Sequence, residues 1–205
     1  MGKTAEHTDI PGEDLLRSNL YDFLGALLSS PPDRSLIERT RGLSGDDSEL
    51  GQGVSALSKV ASAVGQKDVE REYHNLFIGI GRGELLPYAS FYMTGFLNEK
   101  PLAVLRDDME RLSMVRSPGV FEPEDNIGSL CEMMAGLITG RFGRAAGLAE
   151  QQAFFNRHMA PWATHFFTDL EGAKGSLFYA PVGAIGRVFM AIEKEAFRMA
   201  GETAA

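Results

Sequence analysis

Residues 72–92 read Glu72-Tyr73-His74-Asn75-Leu76-Phe77-Ile78-Gly79-Ile80-Gly81-Arg82-Gly83-Glu84-Leu85-Leu86-Pro87-Tyr88-Ala89-Ser90-Phe91-Tyr92. Glu72, Tyr73, Leu76 and Phe77 have the spacing of an aromatic helix end. The three glycines that follow at alternate positions cannot continue it, because each lowers helix propensity and opens positive φ to the backbone. The stretch therefore reads as a glycine-rich loop at about 78–90 that joins two helices and carries aromatic side chains. Function concentrates in connections of this kind.

On either side the apolar residues recur at helical intervals. Glu13 to Ser29 places Leu16, Leu20, Phe23, Leu24, Leu27 and Leu28 on one face, with Arg17 and Tyr21 one turn apart, and Pro31-Pro32 closes the helix. Asp33 reads as an N-cap for Ser35 to Arg41. Residues 42–53 read as a loop, Val54 to Val64 as a helix, and a further helix starts at about Asp68. Beyond the loop, Phe91 to Leu97 is a short helix or turn. Leu102, Leu105, Met109 and Leu112 share one face of a helix that Ser117-Pro118-Gly119 ends, and another begins at Glu122-Pro123-Glu124-Asp125. A long segment from Leu148 is kinked or split by Pro161, and the last helix runs from about Leu177 to Met199. Period-two alternation is scarce and βαβ units are absent, so the fold class is all-α: a single-domain helical bundle over 12–205 behind a disordered tail at 1–11.

Composition narrows the function. A net charge of −8 argues against nucleic-acid binding, which needs a basic face, and suits a basic partner. The acids at Asp46/Asp47/Glu49 and Asp107/Asp108/Glu110 read as solvated helix surfaces. The longest apolar runs fall short of the roughly 18 residues of a membrane span, and the N-terminus lacks a signal-peptide core, which gives a cytoplasmic expectation. The single cysteine, Cys131, reads as a buried small hydrophobe.

No catalytic constellation stands out. Gly79, Gly81 and Gly83 invite a nucleotide-binding reading, GTP or ATP cradled by backbone N–H groups, but they follow a helix and no Gly-Lys-Ser/Thr closes the loop. His74, His158 and His165 form no metal-ligand pattern. His158 reads as a neighbour of Trp162 that satisfies its nitrogens with backbone. Nothing calls for a cofactor. Many methionines and 13 phenylalanines in an acidic helical chain without an active site point to a binding module rather than an enzyme.

Together these motifs resemble those of the TorD/DmsD family of redox-enzyme maturation chaperones, to which the NarJ nitrate reductase chaperones are related. The family's Glu-aromatic-x-x-Leu-Phe, glycine turn and Pro-Tyr-x-Ser-x-Tyr are met by Glu72, Tyr73, Leu76, Phe77, Gly79, Gly81, Pro87, Tyr88, Ser90 and Tyr92. Its Glu-Pro-x-Asp-His is similar to Glu122-Pro123-Glu124-Asp125-Asn126, with Asn126 standing where the family has histidine. Phe155-x-x-His158-x-x-Pro161-Trp162 and Phe178-Tyr179 resemble its last third. The resemblance implies a TorD-like bundle and a cytoplasmic chaperone. It would bind the precursor of a molybdopterin oxidoreductase, through its twin-arginine signal peptide or the apo-catalytic subunit, assist cofactor insertion and delay export. Leu130-Cys131-Glu132-Met133-Met134 resembles chaperones of formate dehydrogenase more than those of the trimethylamine-oxide or dimethyl-sulfoxide branches, and the resemblance points to that client. The family includes monomers and domain-swapped dimers, and some members bind GTP weakly. The binding surface implied is Tyr21, Glu72, Tyr73, Leu76, Phe77, Pro87, Tyr88, Ser90, Asp125 and Asn126, with Glu72 and Asp125 receiving arginine and the aromatics lining an apolar pocket.

Overall fold

The computed structural model describes residues 10–116, 119 and 121–203, and among them every regular element is a helix, with one isolated antiparallel bridge, Tyr88 with Asn126, in the connections. Ten helices are described: α1 Gly12–Leu28, α2 Arg34–Arg41, α3 Glu49–Ala63, α4 Gln66–Tyr73, α5 Ala89–Thr94, α6 Lys100–Arg111, α7 Ile127–Thr139, α8 Leu148–His158, α9 Ala163–Gly172 and α10 Tyr179–Thr203. The tail expected at 1–11 falls mostly outside the described residues, as do Ser117 and Pro118.

α7 organises the bundle. Ile127, Leu130, Cys131, Met134, Leu137 and Ile138 leave it almost no polar face, so it is buried on nearly all sides, as an evenly apolar helix must be. α1 lies along it, while α10 packs against α9 and α3. The α9–α10 crossing is close enough to exclude side chains: a Cβ on Gly183 would lie 2.4 Å from the Glu171 nitrogen, and one on Gly186 2.1 Å from a Phe167 ring carbon. α1 and α10 are fastened by a buried ionic fork. Arg17 Nε and Nη2 each donate at 2.8 Å to Glu193, whose side chain is 1% exposed, and the Tyr21 hydroxyl donates to the same carboxylate at 3.0 Å.

Several element boundaries differ from those read in the sequence. α3 starts at Glu49 because Ser48 caps it, accepting from Gly51 N, so Gly51 and Gly53 lie inside a helix and are buried. α4 begins at Gln66, α5 is confined to Ala89–Thr94, and α6 ends at Arg111, ahead of the Ser-Pro-Gly signal. α7 begins at Ile127 with Asn126 as its cap, so Glu122–Asp125 precede the helix instead of forming its first turn. Pro161 splits the long C-terminal segment into α8 and α9. Leu16, placed by periodicity on the packed face of α1, is 71% exposed, because the buried seam runs through Ser18, Tyr21, Leu24, Gly25 and Leu28.

Candidate functional site

The stretch 72–92 works first as a fastening. α4 runs into one π-helical turn, His74–Ile78, which Gly79 ends at φ 62° with its N–H on the His74 carbonyl at 2.7 Å. Any Cβ there would lie 2.0 Å from the Arg82 carbonyl oxygen, so this glycine is required. The loop then folds back, Glu84 N donating to Asn75 O at 3.2 Å and Leu85 N to Leu76 O at 2.8 Å. These amides meet the helix's own carbonyls, so they do not converge on an anion, which weighs against the phosphate-cradle reading.

Both acids of this stretch point across to the start of α10. Glu72 accepts from the backbone N–H groups of Leu177, Phe178 and Tyr179 at 2.8, 3.0 and 2.8 Å. Glu84 accepts from Lys174 N and Gly175 N. The Glu72 carboxylate, expected to receive arginine, is therefore engaged as the cap of the last helix, whose N–H groups have no partner within the helix itself.

The neighbouring aromatics are core. Tyr73 donates its hydroxyl to Leu28 O at 3.2 Å and stacks edge-on with Phe77 at 4.9 Å; Phe77 meets Tyr179 at 5.3 Å, and Tyr179 donates to Leu27 O at 3.0 Å. Burial pushes the Tyr73 phenol up to about 12. Tyr21 and Leu76 are fully buried. Of the surface inferred from the sequence, these residues hold α1, α4 and α10 together from within, and none offers a face to a partner. Tyr92 lies elsewhere: its ring meets Trp162 at 5.3 Å and its hydroxyl donates to Asp169 at 2.9 Å.

Pro87, Tyr88, Ser90, Asp125 and Asn126 do come together. The segments 86–90 and 123–127 pair through Ala89 N to Asp125 O at 3.0 Å and Ile127 N to Pro87 O at 2.9 Å. Two motifs 35 residues apart in the chain thereby become neighbours. The Tyr88 hydroxyl donates to Glu122, and burial together with this bond raises its pKa. Asn126 Oδ1 caps α7 by accepting from Gly128 N at 2.8 Å. Asp125 Oδ2 accepts from Ser90 N at 2.7 Å, but its Oδ1 is buried without a partner, and so is Ser90 Oγ. A buried polar oxygen without a partner costs about 1–3 kcal/mol, so a donor that reached this one, from water or from a guest, would be favoured.

Asp125 borders a cavity of about 310 Å³ between α5, α6, α7 and α8. Met93, Pro101, Val104, Leu105 and Leu130 form apolar walls, and His158 and Arg157 contribute from the end of α8. Met93 and the nearby Phe96 are 45% and 70% exposed, which carries the apolar surface out onto the rim. His158 corrects the sequence reading: its Nε2 lies 2.8 Å from Asp108 Oδ2, a carboxylate and not backbone, while Trp162 Nε1 donates to the His158 carbonyl at 2.7 Å. Asp108, expected on a solvated face, is buried and also receives Arg111 and Arg157. Its position three residues after Leu105, on the apolar stripe of α6, was the one sequence sign of this. Burial works to raise the Asp108 pKa, and the bonds from His158 and Arg111 outweigh it, so the net shift is downward. Burial lowers the His158 pKa. Among the described residues no cluster of three or more His, Cys, Asp or Glu is placed to hold a metal, and no helix is long and apolar enough to cross a membrane.

Comparison with known proteins agrees with this architecture. A family model described as nitrate reductase delta subunit matches residues 44–168, more than half of the chain. The chaperone protein TorD of Aliivibrio fischeri is 25% identical over 171 residues, covering 73% of this chain and 80% of that protein. The chaperone protein TorD of Vibrio atlanticus is 25% identical over 158 residues, covering 73% of each. Among solved structures, a protein described as a redox enzyme maturation protein from Archaeoglobus fulgidus superposes with a TM-score of 0.57 at 19% identity, over 91% of this chain and 99% of that one. At that identity the likeness establishes the fold.

Proposed function

We infer that this chain, which belongs to the nitrate reductase delta subunit family, is a redox-enzyme maturation chaperone and not an enzyme, and that it binds its client through the cavity at Asp125. The client is the precursor of a molybdopterin oxidoreductase, held in the cytoplasm by its twin-arginine signal peptide or its apo-catalytic subunit until the cofactor is in place. Two TorD chaperones among its relatives support the class of function. One observation carries the site: a buried aspartate that lines an apolar cavity and has a carboxylate oxygen without a partner. Arginine is the side chain with that chemistry, a guanidinium that forms charge-assisted hydrogen bonds at the end of a methylene stem that packs on apolar walls. A segment that pairs arginines with apolar residues would lay the latter on Met93 and Phe96. The chain's net charge of −8 favours such a basic partner.

The test is titration calorimetry with a synthetic twin-arginine signal peptide. Asp125→Asn keeps an oxygen for Ser90 N–H and removes the charge. Truncating one side of a buried charge pair costs about 2–5 kcal/mol, so affinity should fall by at least about thirtyfold. Unchanged affinity for the variant would exclude Asp125 as the arginine partner, and failure of the wild type to bind signal peptide or apo-subunit would exclude the chaperone reading. The formate dehydrogenase precursor is the first client to try.

A further inference from the structure

The cavity is also lined by a titratable ring from a distant part of the chain that this reading leaves without a role. His158 ends α8, is 5% exposed, and lines the same space as Asp125. We propose that His158 is a specificity-determining residue of the arginine site: a neutral imidazole, held in one tautomer by Asp108, whose Nδ1 accepts a hydrogen bond from the guanidinium that Asp125 neutralises. The proposal rests on the cavity being the arginine site.

The tautomer follows from hydrogen-bond accounting. Asp108 receives Arg111 Nε and Nη2 at 3.2 and 3.1 Å on Oδ1, and Arg157 Nη1 at 3.1 Å on Oδ2, so it is ionised and only accepts. His158 Nε2, 2.8 Å from Oδ2, must then carry the hydrogen. A neutral imidazole has one N–H, which makes Nδ1 an acceptor. The ring's bond to Asp108 is made by Nε2, which leaves Nδ1 to accept from a guest. The ring is held in this orientation, since it packs at a tilt against Phe154 with a centroid distance of 4.8 Å and is fixed at Nε2.

The charges around the ring fit this state. Facing it from α6 are Asp108, Arg111 and the exposed Lys100; beside it on α8 is Arg157; before α7 lies Asp125. Burial and the two arginines disfavour a protonated ring and Asp108 favours one, with a net lowering of its pKa. Arg157 and Arg111 share the Asp108 carboxylate, and Arg111 also lies 3.9 Å from Glu150. Lys100, with its head in solvent, can turn away from a cationic guest.

A cavity with acceptors on two walls suits a planar donor. Asp125 and His158 line it from different elements, and Asp125 Oδ1 and Ser90 Oγ are unpartnered. A guanidinium presents five N–H groups in a plane and can meet separated acceptors at once, whereas an ammonium is a compact point charge. The site should therefore prefer arginine to lysine. It should also bind less well once His158 is protonated, because a cationic ring has no acceptor and repels the guest.

Calorimetry with the twin-arginine peptide between pH 5 and 8, and with each arginine replaced in turn by lysine, tests this. Wild-type affinity should be flat above about pH 7, the imidazole being deprotonated there, and should fall by up to about tenfold per pH unit below the ring's pKa. His158→Gln, which keeps an acceptor that cannot titrate, should retain affinity within a few-fold and lose that step. His158→Phe should bind at least about tenfold more weakly, the loss of a hydrogen bond to a charged group. The Nδ1 resonance of 15N-labelled His158 should move on peptide addition, a signal that a merely structural role would leave in place. If Asp125→Asn binds normally, the arginine site itself is wrong. If Asp125→Asn weakens binding but His158→Gln keeps the wild-type pH profile, or Nδ1 does not shift, the role of His158 is overturned and the arginine site stands. Should His158→Phe fail to fold, the glutamine profile and the wild-type resonance decide alone.

Discussion

Replacing Glu72 by alanine separates fastening from binding at the most distinctive motif of the chain. Its carboxylate takes three backbone N–H groups at the start of α10, at 2.8, 3.0 and 2.8 Å. Leu177 is exposed, so water recovers its N–H in the variant, but Phe178 and Tyr179 are buried and their amides are poorly placed for solvent. A hydrogen bond to a charged group contributes about 1.5–3 kcal/mol and loss of a helix cap costs about 0.5–2 kcal/mol. These describe the same bonds, so the sum is bounded by the two buried donors, and Glu72→Ala should destabilise by about 3 kcal/mol. For a chain of this size that is a fall of roughly 6–12 °C in Tm. Glu72→Gln keeps an acceptor oxygen and should lose about half as much. Thermal melts give the magnitude, and amide hydrogen exchange at 177–179 gives the place, which should lose protection first. A Glu72→Ala protein that melts with the wild type while its signal-peptide affinity drops would refute the capping role and return Glu72 to the client site.

Gly183→Ala sets helix propensity, which gains about 1 kcal/mol, against overpacking, which costs about 1–3 kcal/mol or more. The new Cβ would meet the Glu171 backbone at 2.4 Å, which cannot swing aside, so Tm should fall by several degrees. Gly172→Ala, with nothing within 4 Å, should leave it unchanged or raise it. Stability should also depend on pH with one sign. Asp108 is depressed in the folded chain, so its contribution is full above the ordinary carboxyl value of about 3.9 and is lost as pH falls through the lower folded value. His158 is depressed too: below about 6.5 the unfolded chain takes up a proton that the folded chain resists, and stability declines as pH falls through its folded value. The melting midpoint should drop from pH 7 to 5 and again below 4, with the first step flattened in His158→Gln; a stability maximum near pH 5 would contradict the His158 assignment, and stability that rises below pH 4 would contradict that of Asp108.

The helical class was legible because apolar residues recur every three or four positions from Leu20 to Phe197 with little alternation to compete. Pro161 marked a real boundary for the same local reason. The start of α7 was misplaced because prolines and acids suit a first turn, whereas here Glu122, Glu124 and Asp125 are drawn to Tyr88, Arg106 and Ser90. Those partners lie 18 to 35 residues away, beyond what local propensity carries.

The candidate site divides the same way. Periodicity alone cannot tell whether Tyr21, Tyr73, Leu76 and Phe77 face a partner or the core, since both require the same apolar stripe; the approach of α1, α4 and α10 decides it by enclosing all four. Asp125 was singled out in the sequence, but its unpartnered oxygen exists only because the bridge at Tyr88 uses its other oxygen and its backbone. His158 and Asp108, 50 positions apart, had no visible relation until α6 and α8 were set side by side. The sequence by itself determined the helices, the glycine turn at Gly79 and the family likeness, because propensity, backbone freedom and motif spacing are local. Only the tertiary structure decided which acids cap helices and which one is left free, because hydrogen-bond partners are assigned by packing between distant segments.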